Sequence, residues 1–177
     1  MTTETRVKLK IVDADGHYLE PPFALPEYIE PRYRDRAPRI VRGDDGKEFW
    51  QGNGWWDDNL LISNRGSAPR RATAVAGLAG IERWNQGTDL GNVKDLNYTQ
   101  MNPAATDPAA RLEVMDSERM DAAVLYPTMN LQWIRDAGFH QALNRALNDW
   151  QADYIKGGGG RLYGAVNVVA VHDVQWA

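Results

Sequence analysis

The sequence of 177 residues contains no cysteine. This absence excludes a disulfide framework, a thiolate metal site and a cysteine nucleophile. Any metal ion must therefore be held by histidine and carboxylate side chains. Hydrophobic residues make up 43% of the chain and charged residues 25%, which is typical of a soluble globular protein, and the length predicts one domain.

The chain also lacks an excess of positive charge. It has 20 Lys and Arg and 24 Asp and Glu, which give a net charge of -4. Nucleic-acid phosphates attract a basic surface, so we expect no nucleic-acid partner. The chain has no run of about 18 apolar residues that could span a membrane. Residues 1–10 are charged throughout and do not resemble a signal peptide, so we expect a cytoplasmic protein with no membrane partner.

The first half of the chain predicts one strand and a long insertion. Residues 7–15 alternate in polarity, with Leu9 and Ile11 on one face, and predict a strand. Five prolines in residues 20–38 allow only short helical turns there. Residues 41–106 are rich in Gly, Asn, Asp and Trp and have weak periodicity, apart from a plausible helix over 72–84. We interpret residues 41–106 as an insertion or lid after the first strand.

Regular signals return in residues 107–177, which we interpret as αβαβ units. Asp107 and Pro108 predict a helix start, and that helix extends to Met120. The apolar run 122–126 predicts a buried parallel strand, residues 139–156 a second helix, and residues 161–171 a third strand. This order predicts an α/β fold with crossover helices. A complete (β/α)8 TIM barrel takes about 250 residues, so we predict a partial barrel: about the first three βα units of one domain spanning residues 1–177.

The segment from Asp13 to His17 carries the clearest chemical pattern. Side chains two residues apart on a strand project to the same side, so Asp13, Asp15 and His17 are expected to project together. They follow the carboxyl end of the strand, where barrel enzymes place their sites. Imidazole with carboxylate suits zinc, or manganese where carboxylates dominate. The alternative is a turn with a histidine that is only hydrogen-bonded.

Four blocks of the sequence resemble the amidohydrolase-related family, which includes decarboxylases of the aminocarboxymuconate-semialdehyde type. They are IVDADGHYLEPP, EYIEPRYRDRAPRI, ARLEVMDSERMDAAVLYPT, and NRALNDWQADYI with RLYGAVNVV; they occur in the family's order and cover residues 11–40 and 107–177. The resemblance implies a metal-dependent hydrolase or non-oxidative decarboxylase of a small carboxylated or cyclic substrate. It also implies that Asp15 and His17 bind a catalytic divalent metal; the donor types favour zinc, with manganese as the second choice.

The same resemblance implies that later strands supply the remaining ligands and the catalytic groups. The catalytic residues are therefore unassigned, and we expect the 177-residue chain to be inactive by itself. His140 lies inside a predicted helix and is expected to be a surface or packing residue. The candidates for the rim of the substrate pocket are Glu20, Tyr126, Thr128 and His172. For Tyr126 and Thr128 the alternative is that Pro127 merely ends the strand.

The insertion contains several tryptophans and arginines that suggest a lid able to stack on an aromatic acid and pair with its carboxylate. Packing of a long loop or a subunit contact is the alternative. These residues are Trp50, Trp55, Trp56, Trp84, Arg65, Arg70 and Arg71.

Two non-enzymatic hypotheses remain open. One is a truncated domain without catalytic function that persists through oligomerisation, because exposed strand edges favour self-association. The other is a small open α/β sheet that binds no metal. We expect a homo-oligomer in either the enzymatic or the truncated case.

Overall fold

The computed structural model of the chain describes residues 10–21, 23–52, 70–71, 97–128, 134–169 and 172–176. Short 3-10 turns occur at Pro31–Arg36, Tyr98–Gln100, Pro103–Ala105 and Val174–Trp176. The helices within these residues are α1 (Ala24–Tyr28), α2 (Pro108–Ser117) and α3 (Ala137–Lys156). The strands are β1 (Val12–His17), β2 (Arg39–Arg42), β3 (Glu48–Gln51), β4 (Arg70–Arg71), β5 (Ala122–Tyr126) and β6 (Leu162–Gly164).

A parallel sheet with the strand order β1-β5-β6 forms the centre of the fold. The helix α2 precedes β5 and the helix α3 connects β5 to β6, so each parallel step uses a crossover helix. The predicted α/β class and parallel sheet are confirmed. The first strand, however, spans Val12–His17 rather than residues 7–15; Lys10 and Ile11 lie outside it, and residues 7–9 are not among the described residues.

The helix α2 begins as predicted and ends earlier than predicted. The Asp107 side chain accepts a hydrogen bond from the amide of Ala109 (2.9 Å), which caps the helix start. Arg119 adopts a left-handed conformation with φ of 59°, and Met120 N donates to Met115 O (2.8 Å). This is the bonding of a Schellman motif. The motif ends α2 at Ser117 instead of Met120 and turns the chain into β5.

The core lies between the parallel sheet and the helices. Asp136 caps α3 by accepting from Phe139 N (3.0 Å), and α3 begins two residues before its predicted start. One face of α3 is buried against the sheet and α1, because its apolar residues recur at helical spacing. The buried side chains of this face include Phe139, Leu143, Ala146, Leu147, Trp150 and Tyr154.

The third strand of the parallel sheet is shorter than residues 161–171. Regular pairing with β5 ends at Gly164. Beyond it, backbone groups bond to side chains of α3: Gln151 donates to Ala165 O (3.1 Å), and Asn148 both donates to and accepts from the backbone of Asn167 (2.9 and 3.0 Å). Ala165 N still donates to Leu125 O of β5 (2.9 Å). The prediction of a strand was wrong for residues 165–169, where side chains of α3 take the place of a neighbouring strand, and residues 170–171 lie outside the described residues.

The second face of the parallel sheet is open within the described part of the chain. The sheet register aligns Val12 with Ala122 and Val124 with Tyr163, so these four side chains share the face opposite the core. Val12 and Tyr163 are 54% and 55% exposed. Parallel sheets normally have both faces covered. The open face is therefore the surface on which further structure is expected.

A second, antiparallel sheet with the order β2-β3-β4 overlaps the segment predicted to be an insertion, and its first strand begins two residues before that segment. The weak periodicity of residues 41–106 did not indicate this sheet. The helix predicted over 72–84 lies outside the described residues. Among the described residues, no helix is both long enough and apolar enough to cross a membrane.

Glu48, in β3, ties the second sheet to the segment that leads into α2. Its buried carboxylate accepts from Thr99 N (2.9 Å), Thr99 Oγ1 (2.6 Å) and Arg42 Nη2 (3.0 Å). Burial raises the pKa of the Glu48 carboxyl, but the hydrogen bonds from Thr99 and Arg42 lower it more. Its pKa therefore lies below the ordinary value of 4.5.

Glu48→Gln is expected to lower the free energy of unfolding at pH 7 by about 2 kcal/mol, because bonds to a charged acceptor are replaced by weaker ones. Since the folded-state pKa of Glu48 is depressed, its contribution is present above pH 4.5 and is lost as the pH falls through the folded pKa. Urea unfolding of both proteins from pH 7 to pH 3 should show the difference shrinking. Asp44→Asn, in an exposed turn, is the control; a constant difference for Glu48→Gln would contradict the assignment.

Candidate metal centre

A β-bulge separates the acidic residues of β1 from one another. The register pairs Asp13 with Ala123 and His17 with Tyr126, and it shifts between Asp13 and Gly16. One extra residue in β1 therefore reverses the faces of the residues that follow it. Ala123 is buried in the core, so Asp13 faces the helices while His17 faces the open side. The prediction that Asp13, Asp15 and His17 project together was wrong for Asp13.

Gly16 lies at the bulge, where β1 approaches β5 closely. A Cβ atom at position 16 would lie 2.7 Å from Asp13 Oδ2, 2.7 Å from Leu125 Cδ2 and 3.2 Å from Val124 O. The ends of the Asp13 and Leu125 side chains would have to move to admit a Cβ atom, and Val124 O would be in tight contact with it, so glycine allows the close approach of β1 to β5 without rearrangement. The sequence had suggested only a turn former at this position.

Asp15 and His17 lie beside each other where β1 ends. Asp15 Oδ1 is 3.9 Å from His17 Nε2, and the two side chains are 92% and 33% exposed. The other ring nitrogen, His17 Nδ1, is buried and has no hydrogen-bond partner within the described residues. Nε2 is therefore the nitrogen that faces both Asp15 and the solvent.

The residue types at this position fit a divalent metal ion. Two ligand atoms bound to one zinc ion in tetrahedral geometry are separated by roughly 3.3 Å. The exposed Asp15 side chain can close the remaining distance from 3.9 Å by a rotation about its own bonds. Within the described residues, however, no group of three or more His, Asp or Glu side chains is placed to hold a metal ion. Asp15 and His17 are thus a pair of candidate ligands and not a complete set.

Arg111, which the sequence analysis did not identify, holds the backbone of His17. It lies in α2 and is only 5% exposed, and its Nη2 atom donates to His17 O. The amide of the same peptide group, Tyr18 N, donates to Tyr126 O (3.2 Å). Spacing could have indicated Arg111, because it lies four residues before the buried Met115 and so on the inward face of α2.

Glu20 and Thr128, both predicted to line the pocket rim, are bonded to each other. Glu20 is 1% exposed, and its carboxylate accepts from Thr128 N (3.0 Å) and Thr128 Oγ1 (2.7 Å). The backbone carbonyl of Glu20 accepts from the hydroxyl of Tyr98 (2.7 Å), and burial raises the pKa of that tyrosine well above 10.0. The pair joins the segment after β1 to the segment after β5. Their part in binding a substrate stays a prediction.

Tyr126 and His172 occupy different surroundings. The Tyr126 ring is partly exposed, and its centroid is 6.1 Å from that of His17. His172 Nε2 is 2.8 Å from Ile134 O, and its ring packs edge-on against His140 at 5.2 Å. His140 is buried in α3, which agrees with a packing role.

The lid predicted from the tryptophans and arginines is only partly described. Trp50 packs edge-on against Tyr98, with ring centroids 4.9 Å apart. Arg70 and Arg71 are the two residues of β4. The remaining members of the group, Trp55, Trp56, Trp84 and Arg65, lie outside the described residues.

Comparisons with known proteins support the fold. No protein-family model matches the chain. No curated protein matches it either. Among solved structures, the chain is similar to an amidohydrolase from Mycobacterium avium subsp. paratuberculosis K-10, with a TM-score of 0.56 and 19% identity. The match covers 92% of this chain and 42% of that protein, so this chain spans less than half its length. The chain thus shares the α/β fold of part of that structure.

Proposed function

We propose that this chain supplies the first two metal ligands, Asp15 and His17, of a metal-dependent enzyme whose complete form hydrolyses or decarboxylates a small carboxylated or cyclic substrate. The observation that carries the proposal is the approach of Asp15 Oδ1 to His17 Nε2 at the carboxyl end of β1. Enzymes with parallel barrels place their sites at this end of the strands. The likeness to a solved amidohydrolase supports the same assignment.

Zinc is the proposed ion, with manganese as the second choice, because imidazole and carboxylate are the available donors. Such an ion lowers the pKa of bound water or polarises a substrate oxygen. Asp15 and His17 would hold it, and the Tyr126 ring beside His17 would form one wall of the entrance. The bond between Glu20 and Thr128 keeps the ends of β1 and β5 at a fixed separation.

Completion of this site requires ligands beyond those that the described residues bring together, since catalytic zinc usually has three protein ligands. The open face and edges of the parallel sheet are where further βα units would pack and bring them. We therefore propose that the 177-residue chain is inactive without such units.

Metal binding by the purified chain tests the proposal. Asp15→Ala and His17→Ala are each expected to weaken Co²⁺ binding by about tenfold or more, because each removes one of two direct ligands. Titration followed by the visible absorption of Co²⁺ measures this affinity. Asp44→Ala and His172→Ala are matched controls, since they remove the same residue types elsewhere. Unchanged affinity in both Asp15→Ala and His17→Ala would remove the assignment.

A non-catalytic role through self-association is a second candidate. The observation that favours it is the open apolar face of the parallel sheet around Val12 and Tyr163. An exposed sheet of this kind is prone to pair with another copy. In this case the chain would persist as a homo-oligomer and would not need a metal ion.

A further inference from the structure

The charge of Arg111 is buried beneath the candidate metal ligands. Its guanidinium donates to the carbonyl of His17, and its Nε is 3.5 Å from the hydroxyl of Tyr154. That hydroxyl in turn donates to Ala104 O (3.0 Å). Burying a charged group is costly unless it is well hydrogen-bonded. An arginine at 5% exposure therefore depends on these hydrogen bonds to offset the loss of its hydration.

The target of this arginine is the residue at which β1 stops. The amide that follows His17 is fixed by Tyr126 O, and Arg111 fixes the carbonyl of the same peptide group. The bulge reverses the faces of the side chains that follow it in β1. The direction of the His17 Cα–Cβ bond therefore depends on how this peptide group is held. A planar guanidinium can serve the carbonyl and the Tyr154 hydroxyl together, whereas a lysine ammonium at the end of a flexible stem is less well suited.

We propose that Arg111 is a positioning residue: it holds the His17 peptide so that the imidazole Nε2 faces Asp15. This proposal rests on the metal function proposed above for Asp15 and His17. Residues that orient metal ligands typically contribute tenfold to a hundredfold in metal affinity. We therefore expect Arg111→Met to weaken Co²⁺ binding by about tenfold, although Arg111 is not itself a ligand.

The test compares Arg111→Met and Arg111→Lys with Arg161→Met. Arg161 is the matched control because it also donates to backbone carbonyls, Met120 O (2.6 Å) and Asp121 O (3.1 Å), at the opposite end of the sheet. The first readout is NMR of the metal-free chain: the His17 ring nitrogen signals and the hydrogen exchange of the Tyr18 amide. The second readout is the Co²⁺ affinity.

We expect Arg111→Met to shift the His17 signals, speed exchange at Tyr18 and weaken Co²⁺ binding, and Arg111→Lys to restore these properties only in part. Arg161→Met should lower stability and leave all three unchanged. Wild-type His17 signals and Co²⁺ affinity in a folded Arg111→Met protein would overturn the proposal, as would equal changes in Arg161→Met. If Arg111→Met does not fold, Arg111→Lys decides, and wild-type behaviour in that variant overturns the proposal.

The two proposals fail differently. If Asp15→Ala and His17→Ala leave Co²⁺ affinity unchanged, the metal function is wrong. The weaker Co²⁺ binding expected for Arg111→Met is then wrong as well. The His17 signals and Tyr18 exchange of the metal-free chain then still decide whether Arg111 orients His17. If both direct ligands matter and Arg111→Met changes nothing, the metal function stands and the positioning role is wrong.

Discussion

Trp150→Ala is expected to lower the free energy of unfolding by about 3–5 kcal/mol, as large-to-small changes of buried aromatic residues do. Trp150 lies on the inner face of α3 and is buried, with its ring 5.0 Å from that of Tyr18 and 5.5 Å from that of Tyr154. Truncation removes the apolar contacts and leaves a cavity between α3 and the segment after β1. Domains of this size are stable by about 5–15 kcal/mol in total, so the variant should be close to unfolding at 37 °C.

Urea denaturation followed by circular dichroism measures this loss, provided that the dependence on urea is the same in both proteins. Phe23→Ala is the matched control, because Phe23 is an aromatic residue with half of its surface exposed. Its loss should change stability by about 0.5 kcal/mol or less. Equal losses in the two variants would show that α3 does not pack on the sheet as described.

Glu20→Ala is expected to cost about 3 kcal/mol, because it leaves the amide and the hydroxyl of Thr128 without their acceptor in a partly buried site. The effect should be local to the ends of β1 and β5. Besides urea unfolding, hydrogen exchange at the Thr128 amide measures it: exchange should become faster in the variant.

A double-mutant cycle separates the Glu20–Thr128 bond from other effects of removing a buried carboxylate. Thr128→Val keeps the shape of Thr128 and its backbone amide while removing the hydroxyl that donates to Glu20 Oε2. Together with Glu20→Ala, which removes the acceptor, it should give a coupling energy of about 1 kcal/mol. A coupling near zero would mean that the Glu20 carboxylate and the Thr128 hydroxyl contribute independently, contradicting the bond between these two side chains.

Local signals predicted the elements of the second half of the chain well. The cap at Asp107 and the apolar run 122–126 depend on neighbouring residues only, and both were confirmed. The end of α2 was missed because it depends on the left-handed conformation of Arg119, a residue type for which that conformation is uncommon. The alternation of residues 7–15 indicated a strand in the right part of the chain but not its bounds.

Features that depend on distant partners could not be predicted in this way. The short β6 follows from side chains of α3 that take over its backbone bonds, and the antiparallel sheet depends on pairing between β2, β3 and β4. At the candidate site, the motif correctly indicated that Asp15 and His17 are neighbours. It could not indicate that Asp13 faces away or that Arg111 reaches His17, because both depend on β5 and α2.

The extra residue between Asp13 and Gly16 makes the length of this stretch matter more than its composition. Ala14 is exposed, so many side chains fit in its place. If the same residues paired with β5 without the bulge, with Asp13 kept opposite Ala123, His17 would share the face of Asp13 and its imidazole would turn into the apolar interior among the helices. Substitutions at position 14 are thus tolerated, whereas a deletion there would remove the bulge; Gly16 and His17 would keep Leu125 and Tyr126 as partners, so the deletion would change the place of Asp15 and not the face of His17.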